Sequence, residues 1–142
     1  EHGKELKRLV EEAGLEGRKV FYVDGNVEIE DRKPIRAFME ENQGCILLAS
    51  YGTSSVGLSI KNIHWMILAH PFKNRIRVLQ TIGRGLRISP TKKSVTVTDI
   101  GDWLQGKRKT PNTTYEHFLA RLGLYSEEGF DYEAITLEEG LC

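Results

Sequence analysis

Apolar positions along this chain switch between a helical and a strand period, and the order of the switches predicts the fold. Between His2 and Ala13, Leu6 is followed by Leu9, Val10 and Ala13 at spacings of three, four and seven. That is a helix with one buried stripe, ended by Gly14. "KVFYV" (Lys19–Val23) is a short β-rich run stopping at Asp24-Gly25, read as a strand buried on both faces. Asp31 is expected to cap the next helix, with Pro34 in its first turn and Ile35, Phe38 and Met39 as its stripe. "CILLAS" (Cys45–Ser50) and "HWMILAH" (His64–His70) predict two further buried strands. A helix from about Asn74 to Arg87 and a fourth strand, "SVTVTDI" (Ser94–Ile100), follow. After a polar, basic stretch, "GKRKTPNTT", come a helix near Thr114–Leu124 and a weak final segment near Phe130–Leu137. Strands separated by helices imply βαβ units, an α/β fold with a mainly parallel sheet. The first helix alone has no strand before it, so the natural domain is expected to begin upstream of residue 1.

Composition narrows this only a little. The 142 residues suffice for one domain with a real core. Lys plus Arg equals Asp plus Glu, 20 of each, so bulk charge names no partner, although a neutral total can hide a basic face. Cys45 and Cys142 lie far apart, which suits a reducing compartment without a disulfide framework. No apolar run approaches the ~18 residues that would span a bilayer. A soluble, cytoplasmic protein without a membrane partner is expected.

Two stretches carry candidate chemistry. "QTIGRGLR" (Gln80–Arg87) sets Gln80, Arg84 and Arg87 within about 60° on a helix, with Val78, Leu79, Ile82 and Leu86 opposite. Gly83 and Gly85 flank Arg84 at a cost of roughly 1 kcal/mol each against alanine, and would let another surface approach it closely. Arginine brings a planar, permanently charged fork suited to a phosphoryl group. A surface helix of no special function also carries a polar stripe, and arginines near its end suit the macrodipole. "ASYGTSSVGLSIKN" (Ala49–Asn62) leaves the second strand. Its small, hydroxyl-rich turn lies where open α/β sheets bind ligands, or is simply a small-residue connection. "GDWLQGKR" (Gly101–Arg108) imitates a phosphate-binding P-loop but has Arg108 where a Mg²⁺-ligating Ser or Thr belongs, and Pro111 where a helix should follow. The chain is expected to lack a P-loop of its own.

In order, A-S-x-G-x-x-S-x-G-x-S, I-K-N-I-H before a strand, and Q-x-x-G-R-x-x-R resemble motifs V and VI of superfamily-two helicases. "HGKEL", "YVDG" and "ILLAS" agree upstream. From about His2 to Asp102 the chain resembles the second RecA-like domain of that family, particularly its phage recombination and repair members. The resemblance implies a RecA-like three-layer sandwich over residues 1–110, its first strand missing, with 111–142 as a helical extension packed on the same domain. It also implies the C-terminal motor domain of an ATP-dependent helicase acting on branched or single-stranded DNA. ATP and Mg²⁺ would be held mainly by an N-terminal RecA-like domain of the same protein, so that this chain alone is inactive. Gln80, Arg84 and Arg87 then match the motif VI residues that reach the ATP phosphates, with Gly57, Ser59 and Gly83 at the ATP interface. Ser50, Gly52, Thr53, His2 and Lys4 match positions that contact the nucleic acid. Ser59 departs from the Asp that many members carry.

Other candidates carry less. His64 and His70 could suggest a metal, but without Cys or carboxylate at ligand spacing they are read as packing and hydrogen-bonding residues, and no metal site is expected in the chain. Asp24, Asp99 and Asp102 are read as turn or cap residues, and Lys107–Lys109 as a solvated run. The alternative function is a non-catalytic module that binds nucleic acid or protein on the same fold. An unrelated nucleotide enzyme is disfavoured, because no G-x-G-x-x-G follows a strand.

Overall fold

A computed structural model of the chain describes residues 2–15, 17–52, 59–90, 92–103 and 112–137. Helix α1 (His2–Glu12) ends as expected, with Gly14 in the left-handed region at φ 61°. Its packed face, however, runs through Gly3, Leu6 and Val10, and Leu9 is 49% exposed. A Cβ on Gly3 would come within 2.8 Å of the Tyr22 ring, so the missing side chain lets the helix close on the first strand. That turns the buried stripe away from Leu9. On the solvent side Arg8 bridges Glu5 and Glu12, one turn before and one turn after it.

Strand β1 (Val20–Val23) pairs in parallel with β2 (Ile46–Ala49), Val20 opposite Ile46 and Val23 opposite Ala49. Helix α2 (Ile29–Glu41) connects them as a βαβ unit. Asp31 does not cap it. The chain turns helical at Ile29 behind an extended Glu28, which places Asp31 inside the first turn, where a carboxylate suits the positive end of the macrodipole. Pro34 lies within the helix rather than in its first turn, so the bond its N–H would have made to the Glu30 carbonyl is missing. Val23, Met39 and Ile60 form the centre of the core, with Phe21, Ile35 and Leu47 packed around them. Phe38 meets Phe21 edge-on at 5.6 Å.

Strand β3 (Trp65–Leu68) pairs with β4 (Thr96–Asp99). The amides of Thr96 and Ile100 donate to the carbonyls of His64 and Leu68, an equal step in the same direction on both strands, which is the parallel pattern. The third strand is not buried on both faces. Met66 and Leu68 point inward while Trp65 and Ile67 are 65% and 58% exposed, and the Trp65 indole N–H donates to the Thr98 hydroxyl at 2.8 Å. Helix α3 (Arg75–Gly85) joins the two strands. Among the described residues the strands form two parallel pairs, β1–β2 and β3–β4.

The chain divides into two compact units, Glu1–Ile67 with Ile76–Thr98, and Leu68–Arg75 with Asp99–Cys142. The second is organised by helix α4 (Thr113–Glu127), which runs three residues beyond its expected end. Its centre is ionic. Arg121, 1% exposed, makes a bidentate pair with Asp99 through two bonds of 2.7 Å and donates to the Phe72 and Ile100 carbonyls. The Tyr125 hydroxyl donates to the same carboxylate at 2.7 Å. Residues 130–137 form no helix or strand.

Candidate nucleotide and nucleic-acid interface

Helix α3 presents Val78 and Ile82 to the core and Gln80 to solvent, with Arg84 half-buried one turn further on. The polar stripe is therefore real for Gln80 and Arg84. Arg87 is not on it, because the helix stops at Gly85 and Arg87 lies exposed on the following turn. Leu86, expected to pack on the sheet, is 55% exposed for the same reason. In that turn the Leu86 amide donates to the Ile82 carbonyl at 3.1 Å and the Arg87 amide to the Arg84 carbonyl at 3.5 Å.

The two glycines beside Arg84 have different tasks. A Cβ on Gly83 would meet nothing within 4 Å, so the outer side of the helix is open there. A Cβ on Gly85 would collide with the Met66 sulfur and press on Val95 at 3.3 Å. Gly85 thus serves the close approach of α3 to its own sheet, and Gly83 alone leaves room for an approaching surface.

The parallel register brings the carboxyl ends of β1 and β2 together, with Asp24 following one and Ser50 the other. The Ser50 amide donates to the Val23 carbonyl at 3.1 Å, and Ser50 and Gly52 are exposed. Asp24 closes a turn by accepting from the Asn26 amide at 2.9 Å. That bond is the main reason its carboxyl is held below the usual range, with Lys4 adding a smaller electrostatic pull. Lys4 and His2 are both exposed at the start of α1. Four of the residues matched to nucleic-acid contacts thus flank this edge or begin the helix packed on β1. Thr53 and Gly57 lie outside the described residues. Ser59 is half-buried, directly before the core residue Ile60.

Sequence reasoning passed over the residues that hold these segments in place. Asn62 donates to the Met39 carbonyl at 3.1 Å and its carboxamide oxygen sits 3.0 Å from the His64 ring. The Lys61 amide donates to Glu40 at 2.6 Å. Lys92, buried, donates to the carbonyls of Lys61 and Gly85. Nothing in their local pattern marks them, since each acts on a backbone group distant in sequence. Asp99, read as a turn residue, is instead the buried partner of Arg121.

Arg84 lies half-buried beside the open space at Gly83. Gly101, which opens the P-loop lookalike, lies so close to the Phe118 ring that a Cβ would stand 2.5 Å from it; most of the remaining lookalike, 104–108, is outside the described residues. Among the described residues no three His, Cys, Asp or Glu side chains gather as a metal site, and no helix is long and apolar enough to cross a membrane.

Residues 2–89 match the helicase conserved C-terminal domain. The chain is 39% identical to the ATP-dependent DNA helicase uvsW of Enterobacteria phage T4, over 96% of its own length and 28% of that protein's. It is 29% identical to putative helicase 22 of a Sulfolobus islandicus filamentous virus, over 68% of its length and 17% of the relative's. In three dimensions it matches the C-terminal part of the Fun30 ATPase domain with a TM-score of 0.58 at 16% identity, over 90% of this chain and 45% of that one. The chain therefore spans less than a third of either viral relative. Its fold is RecA-like α/β, and it belongs to the helicase C-terminal domain family, as the second RecA-like domain of a superfamily-two helicase.

Proposed function

We propose that this chain is the C-terminal half of an ATP-dependent DNA motor that acts on branched DNA in recombination and repair, in the cytoplasm. The observation that carries the reading is the outer side of α3, where Gln80 and Arg84 share one stripe beside the open space at Gly83. ATP with Mg²⁺, bound mainly by an N-terminal RecA-like domain, supplies the free energy. Arg84 and Arg87 add positive charge to the transferring phosphoryl group from across the cleft, a contribution worth on the order of 10³–10⁵ in rate for such arginines. Gln80 orders the same face, and Gly57, Ser59 and Gly83 complete it. Ser50, Gly52, Thr53, His2 and Lys4 hold the backbone of the tracked strand, where contacts position the strand without reading its sequence.

The test is ATP hydrolysis with and without single-stranded DNA, by the isolated chain and by the full-length protein. The isolated chain is expected to show none, and the full-length protein a rate that rises with DNA. A full-length protein that binds DNA but never hydrolyses ATP would instead establish a non-catalytic binding module.

A further inference from the structure

Lys92 is 9% exposed, and its ammonium lies 2.8 Å from the Lys61 carbonyl and 2.6 Å from the Gly85 carbonyl. Burying an ammonium is costly unless it is hydrogen-bonded, and here burial pulls its pKa down while Glu40 pushes the other way. An apolar side chain would fill the space without that cost. What the ammonium supplies is the joint, one side chain donating to two carbonyls distant from each other in sequence. Gly85 sits between Arg84 and Arg87 at the negative end of the α3 macrodipole. Lys61 sits two residues after Ser59, at the exit of the "ASYGTSSVGLS" stretch, and its own amide is held by Glu40. The chain reaches Lys92 by doubling back through an antiparallel bridge to Ser89.

We propose that Lys92 is a positioning residue, whose ammonium locks the arginine-bearing end of α3 to the exit of the strand-contacting stretch so that the two move as one body. This rests on the motor reading above. A displacement of Lys61 then reaches Arg84 and Arg87 through Lys92 and Gly85.

The experiment uses the full-length protein with Lys92→Met, Lys92→Arg, Glu40→Gln and Arg84→Ala, measuring kcat and KM for ATP with and without single-stranded DNA, and the melting temperature. Lys92→Met is expected to lower DNA-stimulated kcat about tenfold or more and bring the ratio of stimulated to basal kcat toward one, with little change in KM. Lys92→Arg should restore most of that ratio. Lys92→Met added to Arg84→Ala should cost little further, since both act on one device. A lower melting temperature with an unchanged stimulation ratio would overturn the proposal. Should Lys92→Met not fold, Glu40→Gln decides, because it weakens the hold on Lys61 and the electrostatic support of the Lys92 ammonium while leaving that side chain and its two carbonyl acceptors in place. A reduced ratio in that variant supports the joint and an unchanged one refutes it. If Arg84→Ala itself leaves turnover intact, the role given to Arg84 fails and takes this proposal with it. If Arg84→Ala abolishes turnover while Lys92→Met keeps full stimulation, the motor reading stands and only the Lys92 assignment falls.

Discussion

Gly83 and Gly85 sit two residues apart on one helix, yet the space around them differs enough to separate stability from function. An alanine at Gly85 would have to displace the Met66 sulfur and Val95, and overpacking of this kind costs about 1–3 kcal/mol. At Gly83 the same methyl enters open space, and helix propensity favours it by up to about 1 kcal/mol. Urea denaturation of the isolated chain should therefore show Gly85→Ala less stable and Gly83→Ala as stable as the parent or more so. In the full-length protein the order should reverse for Gly83. On the proposed function a side chain there would obstruct an approaching nucleotide-bearing surface, so DNA-stimulated turnover should fall while stability does not. Wild-type turnover in Gly83→Ala would argue against a close approach at this face.

At the scale of elements, α4 is held to the end of β4 by charge rather than by apolar packing alone. Arg121 and Asp99 have side chains 1% and 8% exposed. Arg121→Met would leave the carboxylate buried without its guanidinium, a loss of about 3–5 kcal/mol, and thermal melting of the isolated chain should report it. Tyr125→Phe removes one donor from the same carboxylate and should cost about 1–3 kcal/mol. The Tyr125 hydroxyl is pushed well above the ordinary tyrosine range, first by burial and then by the Asp99 carboxylate it donates to. Its folded pKa exceeds its unfolded one, so its stabilising contribution is complete below about pH 10 and is lost as pH rises beyond that. Stability measured from pH 8 to 11 should fall at the alkaline end, and less steeply in Tyr125→Phe.

The elements were mostly legible in the sequence because period and punctuation agree there. Val20–Val23 and Ile46–Ala49 are short β-rich runs closed by turn residues, and α1 stops at its glycine. The errors arose where tertiary contacts decide. Leu9 carries the right spacing but lost its place to Gly3, which packs closer to Tyr22. Trp65 and Ile67 belong to an unbroken apolar run, yet only Met66 and Leu68 of that strand face inward. Arg87 fits the helical stripe on paper, but α3 ends two residues earlier. The buried pair Asp99–Arg121 and the Lys92 joint had no local signature, because their partners lie 22, 31 and 7 residues away.

For the whole molecule, the central claim is that this chain supplies the cationic half of an active site whose phosphate-holding half lies in another domain. The family match and the RecA-like fold support a helicase motor half, and Gln80 and Arg84 share one stripe on α3. The most direct test is the steady-state rate of DNA-stimulated ATP hydrolysis by the full-length protein carrying Arg84→Ala, with DNA affinity measured on the same preparation. Turnover should fall by about 10² or more, with DNA affinity changed less than about twofold. Turnover equal to the parent protein, at undiminished DNA affinity, would contradict it.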